Sequence, residues 1–189
     1  MDELALARRT ALPDPLRILV EAYPRIGWEA HPNFTALTRF WLDRHLGFRR
    51  MQTMLSAETT AFLARDRDPR DYGRGLLRVA GMFLSDLHGH HTIEDQHYFP
   101  LLKSLDPRLA TGFDLLDADH DALEAAMHAL AEAANAVLGA VHEGKPAEAA
   151  AAGLDAELAA FARLLDRHLV DEEELVVPVI LDHPEAGLG

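Results

Sequence analysis

The chain has 189 residues, 49% of them hydrophobic, with a formal net charge of −13, 11 histidines and no cysteine. Length and apolar fraction suit one domain around one core. Without cysteine, disulfides, thiolate metal sites, iron–sulfur ligation and cysteine nucleophiles are excluded, and the acidity argues against a nucleic-acid partner, whose phosphates call for Lys and Arg.

Most of that acidity reads as solvated surface, but a carboxylate-rich chain with many histidines also suits cations held on nitrogen and oxygen. No apolar run approaches the roughly 20 residues of a membrane span. The start, Met1-Asp2-Glu3-Leu4, lacks the basic-then-apolar order of a secretory leader, so the cytoplasm is the expected location.

Glycine and proline are scarce inside four long stretches and gather between them, and Val, Ile and Thr never alternate as in a strand, which predicts an all-α fold. Asp14-Pro15 predicts the cap of a brief helix to about Tyr23. The first long helix is expected from Asn33 to about Arg65, ended by Asp66-Arg67-Asp68-Pro69, and carries the stripe Leu37, Trp41, His45, Phe48, Gln52, Leu55. The second is expected from about Asp71 to Leu102, with Leu76, Ala80, Phe83, Leu87, His90, Glu94, His97 and Leu101 on its inner face.

Asp106-Pro107 predicts a cap and a short turn. A third helix follows from about Phe113 to Val141 with Phe113, Leu116, His120, Leu123, Met127, Leu130 and Ala134 facing inward. After Glu143-Gly144-Lys145-Pro146, the fourth runs from about Ala147 to Val177, striped by Leu154, Leu158, Phe161, Leu165, His168, Glu172, Leu175 and Val179. Steps of three and four make a bundle seam, and every stripe contains a histidine.

Burying an ionisable side chain costs several kcal/mol unless it is paired, so a His-Glu pair inside an apolar stripe needs a partner. Taken singly, His-x-x-x-Glu is a short pattern that a satisfied hydrogen bond explains. Here it occurs twice. His90-His91-Thr92-Ile93-Glu94-Asp95 leads to Phe99-Pro100, and His168-Leu169-Val170-Asp171-Glu172-Glu173 leads to Val177-Pro178, with proline ten positions after histidine in both. Residues four apart on a helix share a face, so each pair aims a nitrogen and a carboxylate at one point.

Residues equidistant from a tight turn between two helices lie at one height. His45 lies 23 residues before Asp68 and His90 lies 22 after it, while His120 and His168 each lie 24 from Gly144. His45, His90, Glu94, His120, His168 and Glu172 are therefore the candidate metal ligands.

With its helix-one histidine, His-His-x-x-Glu-Asp and Phe-Pro, helix-three Asp119-His120, and second His-x-x-x-Glu-Glu, the chain resembles the hemerythrin-like (HHE cation-binding) domain family over about residues 33 to 180. The resemblance implies an antiparallel, up-down-up-down four-helix bundle holding two non-haem iron ions, joined by carboxylates and an oxo or hydroxo bridge. Carried over, Glu94 and Glu172 bridge, His45 and His90 hold one iron, and His120 and His168 the other. Residues 1–32 then form an extension with a short helix, 33–180 the bundle, and 181–189 a loose tail.

Oxygen-carrying hemerythrins have a fifth histidine, four from another on helix three; at that spacing His120 has Leu116 and Glu124. Glu124, His97 or water is left to fill the gap, and two histidines per iron leave open positions for O₂, NO or peroxide. Binding of such a ligand, peroxide or NO detoxification by a di-iron oxidoreductase, and iron-responsive regulation all remain open, as do the redox partner and the oligomeric state. The set is also similar to the di-iron domain of bacterial iron–sulfur cluster repair proteins, but their cysteine-containing N-terminal segment is absent.

Other readings are weaker. A ferritin-like site needs Glu-x-x-His on two helices, and only Glu94-Asp95-Gln96-His97 fits. No Gly-x-Ser-x-Gly marks a hydrolase, and six ligands exceed a structural zinc site. His88 and His91 are expected to be solvated; His31, His128, His142 and His183 lie at the wrong height or in loops. Asp95, Asp171, Glu173 and Glu174 are expected on the surface, with Asp119 left undecided.

Overall fold

The computed structural model describes residues 4–184; residues 1–3, where a leader would begin, and most of the expected tail, 185–189, lie outside the described residues. Six α-helices form: α1 (Ile18–Ala22), α2 (Ala36–Leu63), α3 (Pro69–Ile93), α4 (Phe99–Leu105), α5 (Ala110–His142) and α6 (Glu148–Asp182). No strand occurs among the described residues, and no helix there is long and apolar enough to cross a membrane. Short 3₁₀ turns span Asp14–Leu16, Arg25–Ala30 and Pro107–Leu109.

The punctuation follows local chemistry. Asp68 caps α3, its Oδ1 accepting from the amides of Arg70 (2.9 Å) and Asp71 (3.2 Å), with Pro69 in the first helical position where no amide is needed. Both long turns close in the same way. Asp66 N donates to Ala61 O and Lys145 N to Ala140 O, each at 2.9 Å, around a left-handed residue. That residue is Gly144 (φ 66°) after α5, but Arg65 (φ 65°) after α2, where a side chain carries the strain.

The largest departure from the expected elements lies in the second helix. It does not run unbroken to Leu102: Glu94–Tyr98 form a π-turn between α3 and α4, with Phe99 N donating to Glu94 O five residues back. The wider turn advances the inner face by one residue. Phe99 and Leu102 are buried, whereas His97 and Leu101, expected on the stripe, are exposed. Pro100, which has no amide to donate, follows directly.

Pro178 does not end α6 either. Leu175, Val176, Val177, Val179, Ile180 and Leu181 are all buried, so packing on every side outweighs the lost hydrogen bond.

The described residues form two compact units, one drawn from 4–46, 91–121 and 165–184, the other from 47–90 and 122–164. α2, α3 with its π-turn, α5 and α6 form both inner faces. In the first unit, Leu12, Leu16 and Leu19 pack with Trp41, Phe99, Phe113, Leu116, Leu175 and Val179. Gly112 lets α5 approach closely there: a Cβ would stand 2.8 Å from Leu175 Cδ2, and that side chain would have to shift. In the second unit, Phe83 packs edge-on against Phe161 and Phe62 stacks on Tyr72, whose hydroxyl meets Thr59 at 2.9 Å.

Candidate metal centre

Polar side chains crowd the interior of the first unit. His45 comes from α2, His91 from the end of α3, Glu94 from the π-turn, Asp119 and His120 from α5, and His168, Asp171, Glu172 and Glu173 from α6; all are buried. His45, Glu94 and Glu172 bring donor atoms within 4.8 Å of one another, as do His91, His120 and His168. His90, the last residue of the second unit, stands four residues before Glu94 on the same helical run, its ring 5.1 Å from that of Phe48.

Glu172 links the two groups. Its Oε1 lies 3.4 Å from His45 Nε2 and its Oε2 lies 3.4 Å from His168 Nε2, while Trp41 Nε1 donates to Oε1 at 2.6 Å. Glu94 Oε2 lies 3.6 Å from His120 Nε2, and the Nε2 atoms of His120 and His168 are 3.2 Å apart.

Three of these rings are oriented from behind. His45 Nδ1 meets Glu173 Oε1 at 3.0 Å and His120 Nδ1 meets Asp95 Oδ1 at 2.7 Å. His168 Nδ1 lies a looser 3.5 Å from Asp119 Oδ2. A carboxylate that takes the Nδ1 proton leaves the Nε2 lone pair facing the interior, the tautomer a metal ligand needs.

The electrostatics are those of a site short of positive charge. Burial, with Glu172 beside it, raises the Glu94 carboxyl well above its ordinary value. Burial alone would lower His45, but the charge of Glu172 and hydrogen bonds to Glu172 and Glu173 outweigh it and raise it to about 9. His168 is raised too, against burial, by Asp119 and Glu172. Imidazoles and carboxylates converging on one buried space, with Glu94, His45 and His168 shifted towards the protonated forms that a cation would displace, fit a metal bound through nitrogen and oxygen.

Several surface assignments from the sequence need correction. His91 is not solvated: it is 5% exposed, stacked on His120 with ring centroids 4.0 Å apart. The stripe allowed it, because Leu87, His91, Glu94 is as good a four-then-three spacing as Leu87, His90, Glu94 is three-then-four. Asp171 and Glu173 are buried rather than on the surface, because arginines reach them: Arg9 and Arg167 for Asp171, Arg25 for Glu173. His97 is exposed, for the π-turn rotates it outward. Glu124, 41% exposed, faces His88 and His128 instead of either donor group.

A family model described as the hemerythrin HHE cation binding domain matches residues 36–183. No curated protein and no solved structure matches the chain. With that match over most of the length, and with histidine and glutamate groups placed to hold a cation, the chain belongs to the hemerythrin HHE cation-binding family.

Proposed function

We propose that the protein holds two non-haem iron ions and binds O₂, NO or a related small oxidant. The supporting observation is Glu172, whose two oxygens face a histidine of each donor group at equal distances of 3.4 Å. In this reading Glu94 and Glu172 bridge, His45 and His90 serve one iron, and His120 and His168 serve the other. His91 joins the second pair and takes the role left open by the absent helix-three histidine. The bundle is residues 33–180, in the antiparallel up-down-up-down order that family membership implies, with 1–32 and 181–189 as flanking segments.

Bound iron would supply redox chemistry and affinity for a diatomic or peroxide ligand. The chain's own residues orient the imidazoles and exclude water. Trp41, Phe99 and Phe113 are buried in the first unit, and the Phe99 ring stacks on His120 at 5.4 Å, so the donors sit against an apolar wall. Three histidines on one iron and two on the other favour ligand binding at the less crowded ion.

Iron quantification with a visible spectrum tests the reading. About two irons per chain with bridged di-iron absorption are expected, and less than about one iron after reconstitution would sink it. Stopped-flow mixing of reduced protein with O₂, NO and peroxide then separates a reversible adduct from turnover.

A further inference from the structure

Residues 4–35 precede the matched domain, yet two of their arginines reach the carboxylates behind the candidate ligands. Arg9 is 7% exposed. Its Nε donates to Asp171 Oδ2 at 2.8 Å, its Nη1 to Asp119 Oδ1 at 3.2 Å and to Leu4 O at 2.7 Å, and its Nη2 to Asp119 Oδ2. Asp119 in turn backs His168. Arg25 Nη1 donates to Glu173 Oε2 at 2.6 Å, and the other oxygen of that carboxylate meets His45 Nδ1.

Two chains of contacts result, Arg9–Asp119–His168 and Arg25–Glu173–His45, one ending in each donor group; the last link is a 3.0 Å hydrogen bond at His45 and a looser 3.5 Å approach at His168. The third backed histidine differs: Asp95 behind His120 is 33% exposed, against 3% for Asp119 and 4% for Glu173. The segment is held firmly enough to act as a wall. Arg167 Nη1 donates to Thr10 O at 2.6 Å, Trp28 packs with Val177 and Leu181, and Tyr23 donates to Asp182 at 2.6 Å.

We propose that the N-terminal segment is a working part of the metal centre, with Arg9 and Arg25 as positioning residues that set how strongly His168 and His45 donate to their metals. The inference rests on the di-iron reading above. A carboxylate that draws on the Nδ1 proton makes an imidazole a stronger donor; a guanidinium on its far side shares that charge and weakens the pull. Both arginines thus hold His168 and His45 below the donor strength that bare carboxylates would give. Their positive charge also favours the reduced, less positive metal state.

The test uses the full chain reconstituted with iron, comparing wild type, Arg9→Gln, Arg25→Gln, Arg25→Lys and, as control, Arg17→Gln, at a residue that meets Glu21 at 3.9 Å. Readouts are iron per chain, release rate to a chelator, and reduction potential followed in the visible band. Both Gln variants are expected at lower potential than wild type, with iron release slowed about tenfold for Arg9→Gln. Arg25→Lys should return to the wild-type potential, and Arg17→Gln should match it throughout.

Arg25 is 49% exposed, so its removal spares the fold even if Arg9→Gln does not. Gln variants that hold iron at the wild-type potential and release rate would overturn this inference alone. Wild-type protein that takes up no iron overturns the di-iron reading and this one together.

Discussion

The same four helices build two very different interiors. In the second unit they supply Phe48, Phe83, Leu87, Leu123, Leu130, Leu158 and Phe161, and the buried polar residues described there are two uncharged ones, Gln52 and Thr59. In the first they supply His45, His91, Glu94, Asp119, His120, His168, Asp171, Glu172 and Glu173. An apolar interior stabilises by leaving water and needs only shape; a charged one is stable only when every group finds a partner. The first unit therefore recruits Arg9, Arg25 and Trp41, and its remaining requirement for positive charge is what a cation would meet.

The largest expected effect is on that requirement. His168→Ala removes a proposed ligand oriented toward both His120 and Glu172, and iron content should fall to a small fraction of wild type, whereas His142→Ala, at the exposed end of α5, should leave it unchanged. Equal iron in the two variants would refute the ligand assignment. Next comes the apolar unit. Phe83→Ala opens a hole at a fully buried ring and should cost about 3–5 kcal/mol in urea unfolding. That cost should be similar with and without iron; a loss seen only in the iron-loaded protein would mean that this interior, too, serves the metal.

The two interiors were not equally legible. In the second unit, sequence spacing identified Phe48, Leu55, Leu76, Phe83, Leu123, Leu130 and Phe161, because apolar burial repeats with the helix. In the first, the same spacing marked His45, Glu94, His120, His168 and Glu172, all of which are buried there. It misjudged Asp171 and Glu173, whose burial depends on Arg9 and Arg25 from a distant segment, and His91, which stacks on His120 although the spacing allowed either it or His90 to face inward. The π-turn was illegible for a related reason: one added residue between Glu94 and Phe99 shifts the face without changing any residue type. Helix ends read better where a local group decides them, as Asp68 does, than where packing decides, as around Pro178.

A middle-sized effect should have the opposite sign from Phe83→Ala. Glu94→Gln removes a carboxyl that burial and Glu172 force to take up a proton on folding, so at neutral pH the iron-free protein should gain about 1 kcal/mol in thermal or urea unfolding. In the proposed di-iron reading, the same variant should lose most of the stabilisation expected from iron in the wild type. A variant less stable than wild type without iron would show that Glu94 already has all the compensation it needs, and the contrast between the units would shrink accordingly.

The smallest effect is expected at Gln52, a buried polar position of α2 in the second unit. Its Nε2 donates to Leu158 O at 3.0 Å and to Ser56 Oγ at 3.2 Å. The Leu158 carbonyl lies inside α6, where the helix supplies it a second donor, so Gln52→Leu strands no buried acceptor and adds apolar surface. Stability should change by no more than about 0.5 kcal/mol in either direction, with iron content untouched. Glu172→Leu is the equivalent exchange in the first unit and should abolish iron binding, because it removes the carboxylate facing both His45 and His168. If Gln52→Leu instead proved as costly as Phe83→Ala, the second unit would itself depend on a polar network, and the division of the helices into a filling region and a binding region would fail.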